Sequence, residues 1–216
     1  MTAQFGTQST PTGSEEFGKA SSVSAMADED LARAAYYRLL AAFLTAPPTD
    51  PLLAAATTLT GDPSDLGRAT SALAKAAGST REAEVTDEYN ALFIGLTRGE
   101  LLPYASYYLT GFLHEKPLAR LRSDMARLDI AADPSFAEPE DHVAAVFESM
   151  AGLIDGAFGE PRPLAEQRAF FEAHVASWAP LFFRDLAKAE AARLYRSIGM
   201  MGEAFLAVEQ EAFRRD

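Results

Sequence analysis

The sequence predicts an all-α fold, a single globular bundle of about eight or nine helices. Apolar residues recur at helical spacing from Asp28 onward, and no segment shows the sustained alternation typical of a half-buried strand. The chain has 216 residues, 48% of them hydrophobic, which is enough to bury a substantial core. We therefore predict one helical domain over residues 27–216. Residues 1–26, rich in Ser, Thr, Gly and Ala, are predicted to form a disordered tail.

Proline and capping signals divide the first half of this domain into helices. The apolar stripe from Tyr36 to Leu44 must end near Ala46, because Pro47-Pro48 follows. Gly78 and Gly95 are predicted to end two later helices. The predicted helix starts are, in order, the N-cap and proline pairs Asp50-Pro51 and Asp62-Pro63, and the capping-box pair Ser79 and Glu82.

The second half begins with a segment that has no clean period. Residues 95–108 contain Gly99 and Pro103 and are predicted to form a long ordered loop leading into a helix. Asp133-Pro134-Ser135 is predicted to break the helical pattern. The later helices are predicted around Leu118–Leu128, Val143–Ile154 and Leu164–Trp178. A long helical stretch follows from about Pro180 to Phe213. Within it, Gly199 and Gly202 indicate either close packing against another helix or a kink.

Charge and residue content exclude several classes of function. Lys and Arg total 19 against 31 Asp and Glu, so the formal net charge is −12, which repels nucleic acid and anionic membranes. The absence of cysteine removes disulfides and thiolate chemistry and suits the cytoplasm. No apolar run approaches the roughly 20 residues of a membrane span, and the tail lacks the apolar stretch of a secretory signal. We predict a cytoplasmic protein with neither a nucleic-acid partner nor stable membrane insertion.

Catalytic and metal-binding candidates are sparse, so the chain is predicted not to be an enzyme and to hold no metal or cofactor. His114, His142 and His174 lack the spacing of helical metal ligands. Ser106 lacks the glycine-flanked elbow of serine hydrolases, and no Gly-x-x-x-x-Gly-Lys phosphate loop occurs.

Three carboxylates and a histidine are crowded in the segment Glu138-Pro139-Glu140-Asp141-His142, just before a strongly periodic helix. Glu138 and Pro139 are typical of cap and first-turn positions, where acids complement the helix dipole. A well-capped helix is the simpler interpretation of this acidic segment. The alternative is a site for a cationic partner.

Aromatic residues are dense in a second region, which comprises Tyr89, Leu92, Phe93, Pro103, Tyr104, Tyr107 and Tyr108. Aromatics at helical spacing usually fill the core. Tyrosine also suits positions with one apolar and one wet end, as in a peptide groove. Both interpretations stay open from the residues alone.

Taken in order, these segments resemble the TorD/DmsD/NarJ family of redox-enzyme maturation chaperones. The resemblance lies in Tyr89–Gly95, in Pro103-Tyr104-Ala105-Ser106-Tyr107-Tyr108, which matches the family's Pro-aromatic-x-Ser-x-aromatic signature, and in Glu138–His142, which matches its Glu-Pro-x-Asp-His signature. The helices from Phe170 to Glu209 are similar to the family's closing helices. The likeness spans roughly Asp28 to Glu209.

The resemblance implies a cytoplasmic chaperone that binds the twin-arginine signal peptide, or the apoprotein, of a molybdenum-type oxidoreductase before export. We hypothesise that Asp141, helped by Glu138 or Glu140, faces the arginines, because guanidinium groups suit carboxylates. His142 would donate to the peptide or orient Asp141, and acidification would weaken binding if its imidazolium lies near the guanidiniums. The implied peptide-binding residues are Asp141, His142, Glu138, Glu140, Pro139, Tyr89, Leu92, Phe93, Pro103, Tyr104, Ser106 and Tyr108, with Tyr89, Leu92, Phe93 and Tyr104 lining the apolar part.

Three alternatives remain. The first is a NarJ-like assembly chaperone whose client subunit is not exported. The second is a nucleotide-binding or nucleotide-hydrolysing enzyme that uses Asp141 and His142 as acid and base. The third is a structural partner, either a monomer or a homodimer that exchanges its C-terminal helices across the connection at Gly159 to Pro163.

Overall fold

The computed structural model describes residues 27–131 and 137–215, and this part of the chain is helical without any β-strand. The all-α prediction is confirmed. The predicted tail (1–26) and the predicted break at Asp133-Pro134-Ser135 lie outside the described residues. The elements are α1 (Asp28–Thr45), α2 (Asp50–Thr57), α3 (Asp65–Ala77), α4 (Glu82–Tyr89), a π-helical turn (Asn90–Ile94), α5 (Ala105–Thr110), α6 (Lys116–Arg127), α7 (Val143–Asp155), α8 (Leu164–His174), α9 (Ala179–Lys188) and α10 (Leu194–Arg215).

The core lies between two closely packed helix pairs, α1 with α7 and α9 with α10. Phe147 of α7 connects them, because its ring lies 5.1 Å from that of Tyr37 in α1 and 5.5 Å from that of Phe183 in α9. Glycines let α10 approach α9: a Cβ at Gly202 would lie 2.2 Å from the Phe183 ring. The sequence allowed two interpretations of this glycine, close packing or a kink. The structure shows close packing, and α10 is continuous through Gly202.

The described residues contain ten α-helices, more than the eight or nine predicted. One reason is that the predicted final stretch divides into α9 and α10 at residues 189–193. Backbone N–H groups of Arg193 and Tyr195 donate to the Glu88 carboxylate at 2.7 and 2.8 Å, which holds the start of α10. Trp178, predicted on the same helix as Leu164, lies just before α9 instead. The predicted loop 95–108 ends earlier, because α5 begins at Ala105.

The predicted caps of α2, α3 and α4 are displaced by one or two residues. Asp50 is the first residue of α2 rather than its cap. Ser64, not Asp62, caps α3 by accepting the Gly67 N–H at 3.0 Å. The actual capping pair of α4 is Arg81 with Glu84, whose carboxylate accepts the Arg81 N–H at 3.3 Å, whereas Ser79 bonds back to the preceding turn. Neighbouring Ser, Asp and Glu residues all satisfy the capping pattern, so spacing alone could not choose among them.

The ends of several helices agree with the predictions from sequence. Helix α1 ends at Thr45 before the two prolines, and Gly78 follows α3 directly. Gly95, with φ of 61°, follows the π-helical turn. None of the helices in the described ranges is long and apolar enough to cross a membrane.

Candidate functional site

The two signature segments, far apart in sequence, lie side by side in the structure. Tyr104 and His142 form an isolated antiparallel β-bridge. The Val143 N–H donates to Pro103 O at 2.8 Å, and the Ala105 N–H donates to Asp141 O at 3.0 Å. This backbone pairing fixes the start of α5 against the start of α7. We call the region formed by residues 103–106 and 138–143 the acidic corner.

Asp141 is a buried residue of the acidic corner and is 1% exposed. Its Oδ2 accepts the Ser106 N–H at 2.8 Å, so the carboxylate satisfies a free N–H at the first turn of α5. The hypothesis that Asp141 faces the arginines of a peptide stays a prediction: the residue lines a small pocket beside Glu138, but its carboxylate is almost entirely buried and already has a backbone donor. Its contribution is to hold α5 in place.

His142 is the N-cap of α7, a role that the sequence suggested for Glu138 and Pro139. Its Nδ1 accepts the Ala144 N–H at 3.2 Å, and its ring lies edge-on to Tyr104 with centroids 5.2 Å apart. Burial lowers the pKa of His142 to about 4. The imidazole of the free chain is therefore neutral between about pH 5.5 and 8, so a weakening of binding through its protonation is expected only nearer pH 4.

Glu138 and Glu140 are the accessible acids of the corner. Glu138 is exposed and accepts a hydrogen bond from the Tyr104 hydroxyl at 2.5 Å. Glu140 pairs with Arg122 of α6, whose Nη2 lies 2.7 Å from Oε2. This hydrogen bond from Arg122 lowers the pKa of Glu140. Burial and the bonded Glu138 carboxylate raise the pKa of Tyr104, which keeps its hydroxyl protonated as a donor.

The predicted apolar lining is mostly core. Tyr89 and Leu92 are buried, and Phe93 is half-buried with its ring 5.0 Å from Tyr89 and 5.4 Å from Tyr195. Burial, followed by the charge of Glu138, raises the pKa of Tyr89 to about 12. These positions agree with the core-filling interpretation, because Tyr89 and Leu92 belong to the hydrophobic core and Phe93 packs against it.

The remaining predicted residues divide between the corner and α9. Pro103 and Ser106 are buried in the corner, and the Ser106 Oγ has no hydrogen-bond partner among the residues that the structure describes. Tyr108 turns away, because its ring packs 5.9 Å from Trp178 and its hydroxyl donates to Asp185 at 3.3 Å. Only Tyr104, Glu138, Pro139 and Glu140 of the twelve predicted residues combine a place in the corner with partial or full exposure.

Exposed apolar side chains flank the acidic corner, and sequence reasoning missed them. They belong to two neighbouring segments, which Arg98 joins by stacking over the Tyr107 ring at 5.5 Å. Their only signal in the sequence is the lack of a helical period around them. We call them the apolar rim: Ile94, Leu96, Leu109, Phe112 and Leu113, which are between 39% and 108% exposed.

Two cavities border Glu138 and Pro139. A small pocket of about 200 Å³ also touches Tyr104, His114 and Leu113 of the apolar rim. A larger cleft of about 780 Å³ extends from the same two residues between α6, α7 and the end of α1. Its charged lining residues are Glu138, Glu140, Glu148, Arg38 and Arg122, and its apolar lining includes Met125, Ile130 and Phe158.

The arrangement favours binding over catalysis. Asp141 and His142 each accept a backbone N–H and are only 1% and 3% exposed, whereas Glu138 is exposed. Within residues 27–131 and 137–215, no group of three or more His, Asp or Glu residues is arranged to hold a metal ion. The available chemistry is that of exposed carboxylates beside apolar surface.

A sequence profile described as nitrate reductase delta subunit matches residues 60–184, more than half of the chain. The chain belongs to this family. The family is the one that includes TorD and NarJ, so the resemblance drawn from the signature segments is confirmed. All twelve predicted site residues, from Tyr89 to His142, lie inside the matched range.

Members of the TorD/NarJ family with curated names are similar over part of their length. Chaperone protein TorD of Vibrio cholerae serotype O1 is 28% identical over 130 residues, which cover 57% of this chain and 59% of that protein. Chaperone protein TorD of Aliivibrio salmonicida is 31% identical over 107 residues, covering 46% of this chain and 50% of that protein. The chain thus matches between half and three-fifths of the length of these two relatives.

A solved structure from Archaeoglobus fulgidus, whose assigned name concerns redox enzyme maturation, is similar in fold. The TM-score is 0.50 at 18% sequence identity, and the match covers 82% of this chain and 93% of that one. This likeness supports the helical architecture of the TorD/NarJ family for the described residues.

Proposed function

We propose that the chain is a cytoplasmic, non-catalytic maturation chaperone that binds a client redox enzyme through a segment carrying paired arginines. The observation that carries this proposal is the position of Glu138 and Glu140, two accessible carboxylates on the border of a cleft of about 780 Å³. The names of the similar TorD proteins support the chaperone role. More specifically, we propose that the client segment is the twin-arginine signal peptide of a molybdenum-type oxidoreductase.

Charge complementarity supports a basic client segment. The chain has a formal net charge of −12, which attracts cationic segments and repels anionic ones. A guanidinium donates two parallel hydrogen bonds to a carboxylate, so Glu138 and Glu140 suit arginine better than lysine. Because Asp141 and His142 anchor the corner internally, the two glutamates are presented from a fixed backbone, which reduces the entropy lost on binding.

The apolar rim suits the rest of such a segment. Phe112 is 69% exposed and Leu96 fully exposed, so the rim offers apolar surface that a partner could cover. A peptide with arginines at Glu138 and apolar residues following them would reach Leu113 through the small pocket that both residues line. The rim thus replaces Tyr89, Leu92 and Phe93 as the proposed apolar contact surface.

The NarJ-like alternative changes the client and keeps the site. The matching profile is described as nitrate reductase delta subunit, which is in keeping with a reductase as the client. Co-purification of the tagged chain with its native client separates the two, since only an exported client carries the paired arginines at its N-terminus.

Peptide binding tests the proposed function. We expect a peptide with two adjacent arginines and an apolar continuation to bind more tightly than the same peptide with two glutamines, as measured by fluorescence anisotropy. Glu138→Gln should weaken binding of the arginine peptide about fivefold, because an exposed charge-assisted hydrogen bond contributes about 1 kcal/mol. The control Glu172→Gln makes the same change in charge at an exposed position on α8. Equal affinity for the two peptides would contradict the proposal.

A further inference from the structure

Arg122 occupies one of the two accessible carboxylates of the acidic corner. Its Nε lies 2.9 Å and its Nη2 2.7 Å from Glu140 Oε2. The Arg122 side chain is 57% exposed, whereas that of Glu140 is 22% exposed, and both residues line the cleft. In the free protein, a guanidinium of this chain therefore sits where a client guanidinium would bind.

Glu138 has a different partner. The Tyr104 hydroxyl is a neutral donor, and within the described residues no cation is paired with Glu138. A client arginine can approach Glu138 without displacing a charge, but it must displace Arg122 to make a full contact with Glu140. The two carboxylates of the corner are therefore unequal, although they stand two residues apart.

We propose that Arg122 acts as an internal stand-in for a client arginine: it occupies Glu140 in the free chain, and the second arginine of a client pair displaces it. This inference rests on the proposed function. A segment with one arginine would bind Glu138 alone and leave Arg122 in place. A second arginine would exchange with Arg122, which can swing into solvent because its side chain is already more than half exposed.

The energetics of the exchange allow a measurable effect. An exposed ion pair contributes little, so displacement of Arg122 should reduce client affinity by a factor of about three to five. The hydrogen bond from Arg122 lowers the pKa of Glu140, which agrees with a direct ion pair in the free chain. Removal of Arg122 should accordingly strengthen client binding rather than weaken it.

The test compares Arg122→Gln with Arg127→Gln in the full chain. Arg127 lies on the same helix, is similarly exposed and pairs with Asp124, but does not line the cleft. Both variants lower the net charge equally. For peptides with two arginines, we expect Arg122→Gln to bind about three to five times more tightly than Arg127→Gln. For peptides in which one arginine is replaced by glutamine, we expect a smaller relative gain in Arg122→Gln, because a solitary arginine binds Glu138, which Arg122 does not occupy, so the preference for the pair should rise.

A second comparison separates displacement from general repulsion. In a Glu140→Gln background, Arg122→Gln should produce no further gain, because there is no carboxylate left for Arg122 to occupy. An equal gain in that background, an equal gain in Arg127→Gln, or weaker binding by Arg122→Gln would each overturn the inference while leaving the proposed function intact. If the wild-type chain and both variants fail to distinguish arginine from glutamine peptides, the proposed function falls and this inference with it.

Discussion

The acidic segment contains two neighbouring parts that differ in their surroundings. Glu138 and Glu140 are accessible and bond to side chains, Tyr104 and Arg122, that can exchange for a partner. Asp141 and His142 are 1% and 3% exposed and bond to backbone N–H groups that start α5 and α7. The comparison teaches that one short signature combines two tasks. Its buried end builds the corner, and its exposed end is available for binding.

A loss of binding in a variant does not by itself show whether the substituted residue contacts the client or only stabilises the acidic corner. A substitution at Asp141 would weaken binding even if the carboxylate never touches a client, because α5 carries Tyr107 and leads to the apolar rim. Stability and affinity must therefore be measured together. The predictions below concern the buried part, where stability should change most, and then the residue that joins the two parts.

The largest expected effect is a loss of stability on mild acidification through His142. Burial depresses its pKa to about 4 in the folded chain, against about 6.5 when unfolded. The unfolded chain therefore binds the proton first, so this contribution is fully present above pH 6.5 and is lost as the pH falls toward 4. The total loss is about 3 kcal/mol. Urea unfolding at a series of pH values measures it.

His142→Asn is the matched variant, since asparagine keeps an acceptor for the N-cap and does not titrate. Its stability should change less between pH 6.5 and 4 than that of the wild type. A residual slope is expected from His174, whose pKa is also lowered by burial against the opposing effect of Asp124. Identical pH profiles for the variant and the wild type would refute the role assigned to His142.

A smaller loss is expected for Asp141→Ala, about 2 kcal/mol, because the buried Ser106 N–H loses its charged acceptor. Asp141→Asn keeps an oxygen in place and should cost about half as much. Chemical denaturation provides both values, and peptide affinity should fall in the same order. A stable Asp141→Ala variant that no longer binds peptide would instead indicate direct contact with the client.

The smallest effect is expected for Tyr104→Phe, which removes only the hydroxyl that bonds to Glu138. The ring stays edge-on to His142, so the free energy of unfolding should fall by about 0.5 kcal/mol or less. Affinity for the arginine peptide should change less than twofold, because a client guanidinium can replace the lost donor at Glu138. A loss as large as that of Glu138→Gln would mean that the hydroxyl itself contacts the client.

Local patterns predicted the helices, and long-range contacts determined the site. The stripes of α1, α6 and α7 follow from spacing alone, and Pro47 and Gly95 ended helices as predicted. The partner of Asp141 is 35 residues away, so its buried role could not be inferred from the signature. The family resemblance singled out the two signature segments but gave no information on which of their side chains face solvent.

Glu88 is a second residue whose structural role depends on long-range contacts and could not be predicted from the sequence. Its carboxylate accepts N–H groups at the start of α10 that are more than 100 residues away, and it belongs to no signature in the sequence. In the sequence, Glu88 is only one glutamate on a predicted helix, between Asp87 and Tyr89. Its burial, with 7% exposure, and its role in dividing α9 from α10 become visible only after the chain has folded.

The π-helical turn at Asn90–Ile94 has a consequence for how related sequences should be aligned. The Gly95 N–H bonds to Asn90 O, five residues earlier, so this turn contains one residue more than an α-helical turn would. Deleting one residue here would restore the α-helical bond and rotate the following chain by about 100° around the helix axis. Leu96 would then move away from its present side of the molecule. A one-residue gap at this position in a relative would therefore signal a differently shaped rim.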